Sequence, residues 1–144
     1  MTEILITIPG PCATKGSMRY VGHRRGKPIL VHDAKRYGPW SRIAALFVNE
    51  GMRRHKCIDS GPVKVSITFL FVRPKSHWKG NGADITGTAP ADMTVKPDID
   101  KTTRACLDAM TGRVYRDDAQ VTHLDAVKVY GPETKTIILV RSEP

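Results

Sequence analysis

Five of the fourteen acidic residues of this 144-residue chain lie in one short segment, from Lys96 to Gln120. They are Asp98, Asp100, Asp108, Asp117 and Asp118. Carboxylates that cluster repel one another, so a cation is needed between them if they are to stay ionised. Mg²⁺ suits such a set, because it binds a few carboxylates and keeps positions open for water and phosphate oxygens. The segment therefore indicates metal-assisted hydrolysis of a phosphoester.

The residues around the acidic pairs predict how the pairs could meet. Pro97 favours extended backbone before it, and we expect Asp100 to cap a helix over about 101–110, with Asp98 just ahead of the cap. On extended backbone this i, i+2 spacing turns both carboxylates to one side. A strand after the helix would return the chain to the sheet beside the point where it left. Asp98, Asp100 and one of the pair Asp117 and Asp118 could then meet.

Each acidic residue also has a purely structural interpretation. Asp100 could be only a helix cap, and Asp117 and Asp118 could form only a turn before a strand. Asp108 could be a solvated surface residue or the ion-pair partner of Arg104. The five histidines are scattered and form no HxxxH pair, so we expect them at the surface or against a polyanion rather than as metal ligands.

Positive charge is concentrated in a different segment. The formal net charge is +9, and residues 15–56 hold eleven Lys or Arg and two acidic residues, so this segment accounts for all of it. A concentrated basic surface is typical of proteins that bind polyanions, nucleic acids above all. A soluble basic protein without such a partner is the alternative.

Length and hydrophobic patterning predict the elements that position these residues. A chain of 144 residues has the size of one domain. Alternating apolar residues predict strands at the N-terminus, at 63–72, at about 119–130 and at 134–141, and a hairpin with Arg24, Arg25 and Gly26 at its tip. A helix is predicted to turn four residues to the core: Trp40, Ile43, Ala44 and Phe47.

These elements predict an α+β domain, with a mixed or antiparallel sheet of four to six strands and two main helices packed on it. The helix over about 101–110 should turn Cys106 and Met110 inward. Residues 74–93 are predicted to form a long, flexible loop. No apolar run is long enough to span a membrane, and the N-terminus lacks the features of a signal peptide. We expect a cytoplasmic protein with no membrane contact, disulfide framework or structural zinc site.

The segment 96–121 resembles the RusA family of Holliday junction resolvases, small Mg²⁺-dependent endodeoxyribonucleases of bacteria and prophages. The family pattern runs roughly Lys/Arg-Pro-Asp-x-Asp-Asn-x-x-Lys, then a helix with Leu-Asp-Ala-Leu-x-Gly, then Asp-Asp-x-Gln-Val. The residues that match are Lys96, Pro97, Asp98, Asp100, Leu107, Asp108, Ala109, Gly112, Asp117, Asp118, Gln120 and Val121. The rest of the chain fits the family more loosely.

The resemblance implies that Asp98, Asp100 and Asp118 form a metal cluster, with Asp117 beside it. It implies Mg²⁺, with Mn²⁺ as a substitute, and no small-molecule cofactor. It also implies a homodimer that holds a four-way junction and nicks two strands symmetrically in DNA recombination and repair.

The chain departs from the family pattern at two positions. Lys101 stands in place of the family's Asn, and Arg104 stands in place of its Lys. Arg104 can give positive charge to the scissile phosphate, with a bidentate grip. It cannot shift a proton, because a guanidinium stays protonated. Lys101 could then take over that role.

The sequence therefore predicts an endonuclease on branched DNA, with Arg104 or Lys101 neutralising the phosphate beside the metal. The residues expected to follow the DNA backbone are Lys15, Arg19, Arg24, Arg25 and Lys27. One alternative is a junction-binding protein of the same fold that cuts poorly or not at all. The other is a metal-dependent phosphatase for a small phosphoester.

Overall fold

The computed structural model describes residues 1–16, 18–32 and 36–143, except for the side chains of 18–21 and 30–32. The elements follow one another as β1 (Thr2–Pro9), β2 (Met18–Arg24), β3 (Lys27–His32), α1 (Tyr37–Gly51), β4 (Val63–Phe71), α2 (Ile99–Met110), β5 (Val121–Tyr130) and β6 (Lys135–Ser142). Two short 3₁₀ turns cover Lys75–His77 and Asp118–Gln120. The predicted α+β class is confirmed: a single small domain with two helices and a mixed sheet.

The main sheet has the strand order β1-β6-β4-β5, and β2 pairs with β3 in a separate hairpin. β6 is antiparallel to both of its neighbours, whereas β5 is parallel to β4. A parallel pair needs a crossover connection, and α2 lies in that connection. The predicted return of the chain to the sheet beside β4 is therefore confirmed, with β5 as the edge strand.

One face of the sheet forms the core with the two helices. Its buried residues alternate along the strands, as the two-residue period of a strand requires. They are Ile4, Ile6 and Ile8 in β1, Val63, Val65, Ile67 and Phe69 in β4, and Ile138 and Val140 in β6. The alternation predicted for the strand at 63–72 is confirmed at these four β4 positions.

α1 contributes a buried row of Trp40, Ala44 and Val48. Phe47 is partly buried against the same core, but Ile43 is 45% exposed, so its prediction as a core residue is wrong. The buried row follows i, i+4 and i+8, which leaves a residue at i+3 on the border of the apolar stripe. Gly51 ends the helix close to β1, where an added Cβ would lie 2.7 Å from Ile6 Cγ1.

α2 begins two residues earlier than the sequence predicts. Asp98 has the extended backbone of the N-cap, and Asp100 lies in the first turn of the helix. The prediction of Asp100 as N-cap is therefore wrong, and so is the argument that Asp98 and Asp100 share an extended backbone. The proline restricts only the residue before it, so the helix can start soon after Pro97. The inward position of Cys106 and Met110 is confirmed.

The hairpin of β2 and β3 turns through Arg25 and Gly26, which both have positive φ, 53° and 75°. Arg24 and Lys27 pair across the turn, so the predicted tip is confirmed. The segment 74–93 contains one 3₁₀ turn and an isolated bridge between Trp78 and Ile85; its flexibility stays a prediction. No helix in the described ranges has the length and apolar character needed to cross a bilayer.

Candidate active-site cleft

A cleft of about 470 Å³ lies between α2 and β5. Asp100, Arg104 and Asp108 line it from α2. Their four-residue spacing places them in one row on the helix surface. Leu124 and Ala126 line the cleft from β5. The row spans two helical turns, about 12 Å at 1.5 Å per residue, so the cleft is elongated along the helix.

Asp118 is the acidic residue that enters the cleft from the turn before β5. Its neighbour Asp117 instead caps that turn, with Oδ1 accepting a hydrogen bond of 2.9 Å from the backbone N–H of Ala119. This hydrogen bond lowers the pKa of Asp117. Of the two adjacent acids, the structure brings Asp118 to Asp100 and gives Asp117 a local structural role.

Gln120 fixes the turn that carries Asp118. Its Oε1 accepts hydrogen bonds from the backbone N–H groups of Arg116 and Asp117, at 2.9 and 3.0 Å. Its Nε2 donates to the carbonyl oxygens of Ile58 and Gly61, both at 3.2 Å. The glutamine of the motif therefore ties the turn to the segment before β4.

Within the described part of the chain, Asp98 lies outside the lining of the cleft. Its Oδ2 lies 3.2 Å from Lys101 Nζ. The segment just before it is held by Lys128, whose Nζ donates to the carbonyl oxygens of Val95 and Pro97 at 2.7 and 2.8 Å. Lys128 was not among the residues expected from the sequence. The sequence feature that could have pointed to Lys128 is its position: it is a charged residue on the side of β5 that also carries the cleft residues Leu124 and Ala126.

Lys15, in the loop after β1, contacts a residue of the cleft lining, Asp108. Its Nζ lies 2.7 Å from Asp108 Oδ2 and 4.8 Å from the centre of the Tyr37 ring. The hydrogen bond to Asp108 is the main reason why the pKa of Lys15 lies above its ordinary value of 10.5. Asp108 thus pairs with Lys15, whereas the sequence offered Arg104 as its partner.

The loop that carries Lys15 packs along α2. Cys12 Sγ lies 3.7 Å from Cys106 Sγ, and this hydrogen bond, with burial, raises the pKa of Cys106 well above its ordinary value of 9.0. Gly16 has φ 105°, and a Cβ added there would lie 3.0 Å from Arg104 Nη1. The guanidinium therefore rests against loop backbone that only a glycine provides without strain.

The other basic residues expected at DNA lie on the hairpin. Arg24, Arg25 and Lys27 are exposed at its tip. Arg19 lies on β2 opposite Val31, and its side chain falls outside the described part. Lys15, by contrast, contacts the cleft residue Asp108.

In the conformation described for residues 1–16, 18–32 and 36–143, no three or more His, Cys, Asp or Glu side chains are grouped to hold a metal ion. The expected cluster of Asp98, Asp100 and Asp118 is not assembled with the side chains as they lie. The donor chemistry of the cleft still fits Mg²⁺, which needs only one or two carboxylates beside waters and substrate phosphates. Asp100 and Asp118 supply those carboxylates on opposing walls of one cleft.

A family profile described as "Endodeoxyribonuclease RusA" matches residues 9–141. The chain belongs to this family. It is also similar to the "Uncharacterized protein YqaN" of Bacillus subtilis (strain 168), with 26% identity over 144 residues that cover 98% of this chain and 97% of the relative. The resemblance found in the segment 96–121 is thus confirmed over most of the chain, and RusA membership implies a nuclease.

The two departures from the RusA pattern have different positions in the structure. Arg104, in place of the family's lysine, lines the cleft beside Asp100 and Asp108. Lys101, in place of its asparagine, forms the ion pair with Asp98. In this RusA-family chain a cation therefore remains available in the cleft, while a second cation holds one of the three family aspartates.

Proposed function

We propose that this protein is a Mg²⁺-dependent, structure-specific endodeoxyribonuclease that resolves Holliday junctions in DNA recombination and repair. It hydrolyses two phosphodiesters symmetrically. The observation that carries the proposal is the meeting of Asp100, Asp118 and Arg104 in one cleft of a RusA-family chain. Carboxylates supply the ligands for the metal, and the guanidinium supplies the charge for the phosphate.

Asp100 and Asp118 would hold Mg²⁺ or Mn²⁺, and Asp98 would join them after leaving Lys101. When bound, the ion supplies charge stabilisation at the phosphoryl oxygens and lowers the pKa of water. Asp117 stays at the rim as the cap of its turn.

Arg104 would bind two non-bridging oxygens of the scissile phosphate through parallel N–H groups. Because a guanidinium keeps its proton, Arg104 orients the phosphate and stabilises its charge, and protons move through water. Leu124 and Ala126 on the opposite wall are apolar, and charge interactions beside apolar groups are less screened than in open water.

The exposed basic residues of the hairpin would contact the sugar-phosphate backbone of the junction. Arg24, Arg25 and Lys27 form the tip, and Arg19 belongs to the same hairpin. Contacts to phosphates position a protein on DNA without reading its sequence. Two symmetric nicks call for two such clefts, which a homodimer would supply.

We further propose that the protein acts in the cytoplasm of a bacterium, encoded by its chromosome or by a prophage. Its partner there is branched DNA. The proposed activity involves neither a membrane nor a small-molecule cofactor.

A synthetic four-way junction tests the proposal directly. We expect paired, symmetric nicks with Mg²⁺ or Mn²⁺ and none with EDTA. Asp100→Asn should lower the nicking rate at least about a hundredfold, since loss of a metal ligand removes several kcal/mol of transition-state stabilisation. It should still bind the junction. Asp125→Asn is the matched control, because Asp125 is an exposed residue of β5 adjacent to the cleft residues Leu124 and Ala126.

Binding without nicks in either metal would contradict the proposal. It would favour a junction-binding protein that does not cut, the function that the ion pair between Lys101 and Asp98 also favours. Cleavage of a chromogenic phosphomonoester, with no nicking of DNA, would favour the phosphatase.

A further inference from the structure

We infer that Lys15 is a second phosphate-binding cation of the cleft, which Asp108 holds at the rim and releases to the scissile phosphate when DNA enters. This inference rests on the proposed function and adds a residue to it. It differs from a general role in following the DNA backbone, because it places Lys15 at the reacting phosphate.

The position of Lys15 is set by contacts between its loop and α2. The backbone N–H of Lys15 donates to the carbonyl oxygen of Lys101 at 3.1 Å. On either side of Lys15, Cys12 Sγ contacts the carbonyl oxygen of Thr102 at 3.7 Å and Gly16 lies against Arg104. The contacts of Cys12 and of the Lys15 backbone hold the loop on α2, and the contact of Gly16 with Arg104 brings it to the helix face that carries the acidic row.

The Lys15 ammonium is held beside the cleft by an ion pair that is weak enough to be exchanged for another partner. Asp108 Oδ2 lies 2.7 Å away, and Asp108 lines the cleft. The two side chains are 28% and 27% exposed, and partly exposed ion pairs of this kind contribute little to stability. A phosphate can therefore compete for the lysine. Its flexible four-carbon stem, with three rotatable donors, allows the change of partner.

The charge balance of the cleft explains why a second cation is needed. Three carboxylates line it against one guanidinium; the carboxylates are those of Asp100, Asp108 and Asp118. A Mg²⁺ ion held by Asp100 and Asp118 would bring these charges to zero, and a DNA phosphate that enters then adds one negative charge. Lys15 brings the compensating charge, and it pairs with Asp108, which lies outside the proposed metal ligands. The ammonium also makes a cation–π contact with the ring of Tyr37.

The test compares Lys15→Met with Asp108→Asn in single-turnover nicking of a four-way junction at saturating protein. We expect Lys15→Met to lower the rate about a hundredfold, with junction affinity in EDTA changed less than about threefold. Asp108→Asn should lower the rate less than about tenfold, because Lys15 remains. The double variant should match Lys15→Met, and Lys15→Arg should recover most of the rate. Lys135→Met, which removes a surface lysine paired with Glu133, is the control.

Different rates and melting temperatures are expected if the ion pair has only a structural role. If the pair only fastens the loop, Lys15→Met and Asp108→Asn lose equal rate and equal melting temperature, and that result overturns the inference. Nicking by Lys15→Met at the wild-type rate also overturns it, while the proposed function stands. Wild-type protein that does not nick at all overturns both.

Discussion

Lys128 Nζ donates a hydrogen bond of 2.8 Å to the carbonyl oxygen of Pro97, the residue that precedes Asp98. A second hydrogen bond, of 2.7 Å, goes to the carbonyl oxygen of Val95. Hydrogen bonds from a charged donor are shorter and stronger than neutral ones. The edge strand β5 therefore holds the segment from which α2 and its acidic residues start.

Lys128→Met should weaken metal binding and leave the contacts with DNA unchanged. We expect about 1–3 kcal/mol less free energy of unfolding and a several-fold higher Mg²⁺ concentration for half-maximal nicking, because the start of α2 is no longer fixed. Urea unfolding and a Mg²⁺ titration measure the two effects. Lys64→Met, at an exposed position of β4, is the control. An unchanged Mg²⁺ requirement would show that Lys128 stabilises the fold only.

The adjacent residues Asp117 and Asp118 should respond very differently to the same substitution. Asn caps a turn about as well as Asp, so Asp117→Asn should keep nicking within about threefold. Asp118→Asn removes a carboxylate from the cleft, and we expect at least a hundredfold loss, roughly 2.7 kcal/mol at the transition state. Rate measurements on one junction under one Mg²⁺ concentration suffice. Equal losses would place both aspartates in the site.

Lys101→Asn restores the family residue and tests what Lys101 does. The substitution removes the cation 3.2 Å from Asp98, which leaves that carboxylate free for the metal. Because this exposed pair contributes at most about 1 kcal/mol, nicking should reach half its maximum at a Mg²⁺ concentration lower by up to about fivefold. A complete loss of nicking would instead show that Lys101 has taken over from the family's lysine.

The hairpin tip should contribute to affinity through charge alone. In a triple variant, Arg24→Gln, Arg25→Asn and Lys27→Gln, asparagine is chosen at position 25 because φ is 53° there. The slope of log affinity against log salt should fall by roughly 0.9 for each DNA phosphate that the hairpin no longer neutralises. Filter binding at several salt concentrations measures it. Arg141→Gln, at a residue paired with Glu3, should keep the wild-type slope, and an unchanged slope in the triple variant would remove the hairpin from the interface.

Folding stability should fall in alkaline solution, beginning near pH 9. A hydrogen bond with Cys12 and burial raise the pKa of Cys106 well above 9.0, and burial raises the pKa of Tyr115 well above 10.0. Both groups keep their protons longer in the native state than in the unfolded chain. Their contribution to the free energy of unfolding is therefore complete below pH 9. It is lost as the pH rises, by about 1.4 kcal/mol per pH unit for each group.

Urea unfolding at pH 8, 9 and 10 measures this loss. Cys106→Ala should flatten the decline between pH 9 and 10, although it lowers stability at every pH. Cys57→Ala is the control, since Cys57 is only half-buried. A decline as steep in Cys106→Ala as in the wild type would assign the effect to other groups.

The sequence by itself determined those features that follow from the periodicity of a single helix or strand. The i, i+4 spacing of Asp100, Arg104 and Asp108 becomes one row on α2 because a helix repeats every 3.6 residues. The alternation in Val63–Phe71 becomes a buried strand face because a strand repeats every two. The α+β class and the family motif of 96–121 follow from the same local order.

Only the tertiary structure decided which residues share the cleft. Asp118 rather than Asp117 lines it, because Gln120 and Ala119 engage the cap of that turn. Lys15 and Lys128 reach the segment around α2 from opposite ends of the chain. Such contacts depend on strand order and on how the loop after β1 packs on α2, and neither leaves a periodic signal in the sequence. Local periodicity determines which side chains a helix or strand carries on one face. Loop closure and packing determine which other residues that face contacts.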